Sequence, residues 1–269
     1  MTTEARTLRP PHPYWSWANA RSWAGLTTIL ALRNFRVRFL RMRLGWLWLL
    51  VQPIIQAAML AVVFVKIFGV HGIAHYPLYV LSGMMPWLCF QQGTLQSLSA
   101  VLDNAPLVKK VPVPIAIFPA AAALTQTIVF ALQAIVLLAC GLAYGTLGLK
   151  TLLLPPALLL QTALALGLGL LIGAYLPTLR DLRLATESGL LVVFYATPLL
   201  YEPSRLPESV RRWVRLNPLD GVMQLQRAAF VDRPVDGLAV LIASLETLGL
   251  LALGFLLFQR RSRVFADLI

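Results

Sequence analysis

The sequence predicts an all-α membrane protein that crosses the bilayer several times and forms a single domain over residues 1–269. Hydrophobic residues make up 58% of the 269 residues and charged residues only 13%, and the mean hydropathy is +0.74. A soluble core of ordinary proportions cannot bury so many apolar side chains. The basic residues also cluster in short stretches between long apolar runs, which is typical of the loops between membrane spans.

The N-terminal part predicts a tail followed by a helix on the membrane surface. Residues 1–21 contain three prolines, so we expect an irregular cytoplasmic tail. Over residues 22–46, apolar side chains recur at spacings of three and four and so share one face of an amphipathic interfacial helix. They are Leu32, Phe35, Phe39, Met42 and Trp46. The other face carries cations that suit anionic membrane lipids, namely Arg33, Arg36, Arg38, Arg41 and Arg43.

Six apolar runs predict six transmembrane helices, at about residues 47–69, 78–102, 115–143, 152–176, 185–201 and 237–258. The first two contain several glutamines and an internal proline each, so they are expected to face protein or a cavity. Glu246 lies near the middle of the last span and is an intramembrane acid. It is therefore a functional candidate, and the competing interpretation is a protonated side chain bonded to a neighbouring helix.

The distribution of positive charge predicts that both termini are cytoplasmic. Most of the 23 lysines and arginines lie in the N-terminal segment, in the loops after the second and fourth spans, and in the C-terminal tail. An even number of spans places these segments on one side of the membrane. Residues 202–236 depart from the pattern, because they are expected outside yet carry six arginines. Positive charges in long segments influence the orientation of a membrane protein less than charges in short loops do, so we keep both termini on the cytoplasmic side.

Residues 202–236 predict two short helices, at 209–216 and 218–230, separated by Asn217-Pro218. Two helices of this length cannot both span the bilayer, so we expect a re-entrant pair at the outer leaflet. Such backbone is stable only beside protein or water. Trp213, Asn217 and Pro218 are therefore candidate residues of an outer gate.

The chain lacks the motifs of several other protein classes. It has no Gly-x-x-x-x-Gly-Lys-Ser/Thr loop, and its histidines and cysteines do not fall at metal-ligand spacing. No paired carboxylates or Ser/His/Asp set lie on one predicted element, and no basic domain is large enough to follow a nucleic acid. We therefore expect no catalytic residue, no metal and no nucleic-acid partner. A polytopic lipid-modifying enzyme is the alternative class, which activity of the purified chain alone would favour.

Five motifs, found in order over residues 30–265, resemble the membrane subunit of ABC-2 type polysaccharide exporters. They are Leu44-Gly45-x-Leu47-Trp48-x-x-x-Gln52-Pro53, Tyr76-Pro77-x-Tyr79-x-Leu81-x-Gly83-x-x-Pro86-Trp87, Asn104-x-x-Leu107-Val108-Lys109-Lys110-Val111-x-x-Pro114, Arg180-Asp181 and Leu216-Asn217-Pro218. The third motif is most similar to the O-antigen and teichoic acid branch. One departure is Ile115, where relatives often carry an arginine after the proline.

The resemblance implies a homodimer in the bacterial inner membrane that works with two cytoplasmic ABC ATPase subunits. ATP and Mg would bind to those partners, so this chain would hold no cofactor and have no ATPase site of its own. The substrate implied is a polyprenyl-pyrophosphate-linked polysaccharide, most simply O-antigen. Teichoic acid, capsular polysaccharide, or a lipid or drug are the alternatives within transport. Residues 103–114 resemble the family's coupling helix, with Asn104, Leu107, Val108, Lys109 and Lys110 as the contacts to the ATPase.

Two sets of residues are candidates for substrate contact. The five arginines of residues 22–46 can pair bidentately with pyrophosphate oxygens, and anchoring to lipid headgroups is the competing role. Aromatic rings can stack on sugar rings along a canal, and packing in the core or the lipid belt is the competing role. The aromatic candidates are Trp48, Trp87, Phe90, Phe194, Tyr195 and Tyr201.

Overall fold

The computed structural model describes residues 20–40, 45–67, 75–110, 113–203, 206–262 and 265. Within these ranges the chain is helical and has no β-strand, which confirms the predicted all-α class. The α-helices found there are α1 Ala20–Phe35, α2 Gly45–Val62, α3 Tyr76–Asp103, α4 Ala105–Lys110, α5 Ile117–Ala143, α6 Leu154–Gly173, α7 Leu182–Ala196, α8 Glu208–Arg215, α9 Pro218–Val231 and α10 Gly237–Ser262. Short π-helical stretches follow α1 and α2, over Arg36–Leu40 and Val63–Ile67, and a 3-10 turn, Leu149–Leu153, precedes α6.

Three helical segments of the described chain are long and apolar enough to cross a membrane: Ile117–Ala143, Leu149–Gly173 and Gly237–Ser262. They match the spans predicted at 115–143, 152–176 and 237–258. The apolar part of α2 is shorter, and α3 is long but rich in polar residues. The count of six spans therefore stays a prediction.

Helix α3 lies at the centre of the bundle, where α5 and α6 pack along it and α2, α7 and α9 also contact it. Most of its 28 residues are buried, including Ser82 and Ser97. Its polar side chains bond neighbouring helices: Gln126 Nε2 of α5 donates to Gln96 Oε1 at 2.8 Å, and Ser97 Oγ donates to the carbonyl of Pro119 at 3.1 Å. These residues face protein, as predicted for a polar span.

Helices α6 and α10 approach each other through glycines. A Cβ atom on Gly167 would lie 2.8 Å from the backbone nitrogen of Leu251, and one on Gly254 would collide with the carbonyl oxygen of Gly167. Only glycine allows two helix backbones to come this close, as in many membrane helix pairs. The two helices therefore form a tightly packed pair beside α3.

The N-terminal helix differs in shape and contacts from the single interfacial helix predicted over 22–46. The α-helical part ends at Phe35, and the chain continues as a π-helix to Leu40. Helix α1 packs along α5, where Ala31 is fully buried and Thr125 Oγ1 donates to its carbonyl at 3.3 Å. Contact with α5 thus supports the helix from one side. Leu32, which belongs to the predicted apolar face of this helix, is by contrast 41% exposed.

The fifth predicted span, at 185–201, is wrong at its C-terminal end. Helix α7 covers Leu182–Ala196, and Thr197 is already extended, with φ −92° and ψ 136°. The cause is Pro198, whose ring disfavours a helical residue before it. Helices α8 and α9 lie close to the two short helices predicted at 209–216 and 218–230, and each end differs from the prediction by no more than one residue.

Candidate functional site

Residues 198–201, which follow the end of α7, form the centre of the candidate site. Arg227 of α9 is buried and donates from Nη1 to the carbonyl of Pro198 at 2.6 Å. Its Nη2 donates to the next carbonyl, that of Leu199. One guanidinium therefore serves two consecutive carbonyls that lie beyond the end of α7 and so outside its hydrogen-bond ladder.

Two tyrosines of α3 supply the next two hydrogen bonds. Tyr76 Oη donates to the carbonyl of Leu200 at 3.0 Å, and Tyr79 Oη donates to the carbonyl of Tyr201 at 2.9 Å. All four carbonyls of residues 198–201 are thus held by side chains of α3 and α9. We call this arrangement the carbonyl clamp.

The clamp depends on close packing around the guanidinium of Arg227. Its central carbon lies 4.0 Å from the centroid of the Tyr79 ring, which is a cation–π contact. A Cβ atom on Gly83 would lie 2.9 Å from Arg227 Nη2 and 3.2 Å from the Leu199 carbonyl oxygen. Glycine at position 83 therefore leaves the room that the clamp occupies.

Asn217 joins the start of α9 to the end of α7. Its Nδ2 donates to Thr197 Oγ1 at 2.9 Å, and its Oδ1 accepts from the backbone nitrogen of Leu219 at 3.1 Å as a helix N-cap. Pro218 follows at the first turn of α9, where the missing N–H costs nothing. The structure thus places two of the three predicted gate residues beside the clamp. Trp213, the third, is 75% exposed on α8.

A polar cavity of about 440 Å³ lies against the clamp and under α8. Two of the ion pairs at its wall connect separate segments. Arg233 pairs with Glu202 at 2.6 Å, and Arg215 pairs with Asp236 at 3.0 Å. The charged residues lining it are Glu202, Arg211, Arg215, Asp220, Arg227, Arg233 and Asp236.

Helix α8 carries its own ion pairs. Arg211 and Arg212 both pair with Glu208, at 3.2 and 3.8 Å. Arg211 also donates to the carbonyls of Pro203 and Leu206. The arginines that the structure describes in 202–236 are therefore engaged by acids, carbonyls or an aromatic ring nearby, which gives them a structural role besides any influence on topology.

Asp220 and Arg227 stand apart from the other charged residues of the cavity. Asp220 is 1% exposed and Arg227 is 5% exposed, and both line the cavity. Asp220 Oδ2 accepts from Gln224 Nε2 at 2.8 Å, whereas Asp220 Oδ1 and Arg227 Nε are buried and have no hydrogen-bond partner among the residues that the structure describes. Burial raises the pKa of Asp220 to about 6, although the Gln224 hydrogen bond and the charge of Arg227 act in the opposite direction.

The arginine candidates of the N-terminal segment lie at and beyond the end of α1. Arg33 is in its last turn, and Arg36 and Arg38 are in the π-helical stretch; all three are exposed. The guanidinium carbon of Arg38 lies 5.3 Å from the centroid of the Phe39 ring. Arg41 and Arg43 lie outside the described residues.

The segment resembling a coupling helix forms a short helix, α4, at Ala105–Lys110. Asn104 lies before it, and its carbonyl accepts from the backbone nitrogens of Leu107 and Val108 at 2.9 and 3.0 Å. Both apolar side chains pack against core clusters, while Lys109 and Lys110 are exposed. The helix thus has one side docked on the bundle and two cations pointing away from it.

The aromatic candidates divide into buried and exposed residues. Trp87 and Phe90 are each 2% exposed, and the Trp87 ring lies 5.3 Å from that of Phe194, centroid to centroid. Tyr195, next to Phe194, is 69% exposed, and Trp48 of α2 is 57% exposed. The exposed pair can meet a substrate, whereas the two buried rings pack the core. Tyr201 is half-buried, with its carbonyl in the clamp.

Glu246 of α10, the predicted intramembrane acid, does not line the cavity beside the clamp. Its Oε2 atom is buried and has no hydrogen-bond partner among the described residues. Nearby Thr247 is fully buried.

Sequence reasoning did not assign the clamp to Tyr76, Tyr79, Gly83 and Arg227. Three of these residues stand in one of the motifs that carry the resemblance. The signal for the fourth was an arginine directly before the apolar stretch 228–231 of a short helix. Such a cation indicates a buried partner, but its partners are distant in sequence.

Comparison with known proteins identifies the relatives of this chain. The family model described as ABC-2 type transporter matches residues 25–231. The O-antigen export system permease protein RfbA of Myxococcus xanthus is 27% identical over 251 residues, which cover 92% of this chain and 96% of the relative. A protein of the same name from Klebsiella pneumoniae is 23% identical over 91% of this chain and 95% of its own length. The polysialic acid transport protein KpsM of Escherichia coli is 24% identical over 86% of this chain and 92% of its own length.

Proposed function

The chain belongs to the ABC-2 type transporter family, and we propose that it is the membrane-spanning subunit of an ATP-driven polysaccharide exporter. The observation that carries this proposal is the end-to-end similarity to O-antigen export permeases, over 92% of this chain and 96% of the relative. Similarity over both full lengths indicates the same overall architecture and not one shared motif.

The proposed substrate is a polysaccharide linked to a polyprenyl pyrophosphate, most simply O-antigen. Arg33, Arg36 and Arg38 support a lipid-pyrophosphate substrate because they are exposed together in two turns of helix. Guanidinium groups bind phosphate oxygens bidentately, which a polysaccharide without a charged carrier would not require. Capsular polysaccharide is the second candidate, since two of the relatives are named polysialic acid transport proteins.

Helix α4 is the proposed contact to two cytoplasmic ATPase subunits, which bind ATP and Mg. Its apolar side is held by the bundle, so a push on the helix moves the spans behind it. Lys109 and Lys110 face outward and suit an acidic groove on the partner. The chain itself then needs no nucleotide site.

Two copies of the chain are proposed to form the canal. The faces of α2 and α7 that are exposed in a single copy carry Trp48 and Tyr195 together with polar groups such as Gln52. Polar side chains within spans are expensive against lipid and suit a water-filled path or a second subunit. Sugar rings would slide along these exposed aromatics.

The topology belongs to the same proposal: six spans in the bacterial inner membrane, both termini cytoplasmic, and α8 and α9 as a re-entrant pair at the outer leaflet. The carbonyl clamp supports this because it satisfies backbone groups that lipid would leave unpaired. Substrate movement would then rely on opening of the outer segment and not on covalent chemistry.

Deletion of the gene in the native host tests the function. We expect undecaprenyl-linked glycan to accumulate inside the cell and surface glycan to disappear, with both reversed by the intact gene. Loss of capsule in place of O-antigen would identify the second candidate. Unchanged surface glycan and no internal accumulation would overturn the proposal.

A further inference from the structure

We propose that the polar cavity under α8 binds a neutral sugar unit of the transported glycan through Asp220 and Arg227. The proposal rests on the function proposed above and adds a binding site in the outer segment. The cavity is lined by residues from five parts of the chain, namely Tyr79 of α3, the segment after α7, helices α8 and α9, and the loop before α10. Its volume of about 440 Å³ is within the usual range for small-ligand sites.

The unpartnered atoms of Asp220 and Arg227 indicate the chemistry of the ligand. Asp220 Oδ1 needs a donor and Arg227 Nε needs an acceptor, yet both atoms are buried and have no partner in the described part of the chain. Leaving such groups unsatisfied in a protein interior is costly, so a ligand that completes them gains affinity. Hydroxyl groups both donate and accept, and they can satisfy either atom.

The spacing of the two residues favours a ligand larger than water. They lie seven positions apart in α9, which corresponds to two turns and about 10.5 Å along the axis. Gln224 lies between them, but its side chain is occupied on both ends, by Asp220 and by the backbone nitrogen of Asp236. A sugar ring carries hydroxyls in several directions, so one ligand can offer groups to both residues.

The charges of the cavity argue against a strongly ionic ligand. Arg233 is paired with Glu202 and Arg215 with Asp236, so these charges of the wall are neutralised by one another. A phosphate would meet Asp220 as a repulsive neighbour, and a metal cation would meet Arg227 in the same way. A neutral polyhydroxylated unit meets neither obstacle.

The test uses the full chain in lipid nanodiscs and a panel of D-galactose, D-mannose and L-rhamnose as probes. Saturation-transfer NMR titrations measure the dissociation constant of each sugar, and hydrogen exchange of residues 206–236 reports the location of binding. We expect at least one sugar to bind and to protect α9. Asp220→Asn keeps the shape of the side chain but removes the charge that strengthens a hydrogen bond from a sugar hydroxyl, so binding should weaken about tenfold.

Glu187→Gln is the matched control, since it makes the same change on α7 at a residue that, like its ion-pair partner Arg183, does not line the cavity. Its dissociation constant should change by less than about twofold. Val235→Phe narrows the cavity without altering a charged group and should also weaken binding. It keeps the test decisive if the Asp220 variant does not fold.

Three outcomes overturn the site: no sugar binds the wild-type chain, Asp220→Asn and Val235→Phe both bind as wild type does, or protection appears away from α9. These outcomes are distinct from failure of the proposed function. If gene deletion abolishes glycan export while no sugar binds, the exporter is upheld and the cavity is only water-filled. If gene deletion leaves glycan export unchanged, the proposed exporter function is wrong, whether or not a sugar binds the chain.

Discussion

The guanidinium carbon of Arg227 lies 4.0 Å from the centroid of the Tyr79 ring, which joins α9 to the start of α3. The same guanidinium binds the carbonyls of Pro198 and Leu199. Three segments that are far apart in sequence therefore meet at one side chain. Because the arginine is buried, its loss affects all three segments at once.

Replacing Arg227 should strongly destabilise the chain. Arg227→Gln leaves at least one of the two carbonyls without its donor and removes the cation from the Tyr79 ring. We expect the free energy of unfolding to fall by about 3 kcal/mol, measured by denaturation in detergent. Arg212→Gln is the control, because the Arg212 side chain is 76% exposed. Equal stability of the two variants would contradict the clamp.

Gly83→Ala should crowd the clamp. The added methyl would lie 2.9 Å from Arg227 Nη2, so the guanidinium must shift away from its carbonyls. Gly189→Ala in α7 is the matched control, since nothing lies within 4 Å of its Cβ position. Relative to that control, the free energy of unfolding should be lower by about 1–3 kcal/mol. If the free energies of unfolding of the two variants differ by less than the measurement error, the close approach at Gly83 does not contribute to stability.

Stability should depend on pH through Asp220. Its pKa rises from 3.8 in the unfolded chain to about 6 in the folded chain, so the folded state holds the proton more tightly. The stabilisation is fully present below about pH 4 and is lost as pH rises through about 6. Thermal unfolding of wild type and Asp220→Asn between these pH values measures the difference. A constant difference between the two curves would show that Asp220 does not titrate in this window.

The exposed arginines after α1 can be tested for pyrophosphate recognition. Replacing Arg33, Arg36 and Arg38 together by glutamine should abolish glycan export while the protein stays inserted in the membrane. Replacement of the same three by lysine separates the two roles, because lysine keeps headgroup attraction but loses the bidentate fork. Export should be low in both variants if the arginines bind pyrophosphate. Normal export in the lysine variant would assign them to anchoring.

The two lysines of α4 should be required for binding of the ATPase subunit. Reversing both charges, Lys109→Glu with Lys110→Glu, should prevent co-purification of the ATPase subunit while leaving the chain folded, because both side chains are exposed. Lys150→Glu is the control, at another exposed lysine that instead pairs with Asp232 at 2.9 Å. Retention of the ATPase by the double variant would place the contact elsewhere.

Much of the fold follows from local properties of the sequence. Apolar runs predict the helices, because a long apolar stretch has few other stable forms in a membrane. Asn217-Pro218 predicts the break between α8 and α9, since a cap and a proline act on the residues next to them. The end of α7 is also set by a neighbouring residue, Pro198, which disfavours helix in the residue before it. The predicted fifth span nevertheless continues through this proline to residue 201.

The sequence by itself therefore determined the helical class, the order of the helices and the motifs that indicate the family. The tertiary structure alone decided which side chains hold residues 198–201 and which atoms stay unpaired beside them. Tyr76 lies 124 positions from the carbonyl it binds, and Arg227 lies 28 positions from Leu199. Local propensity carries no information about such pairs, because they arise only when the helices pack.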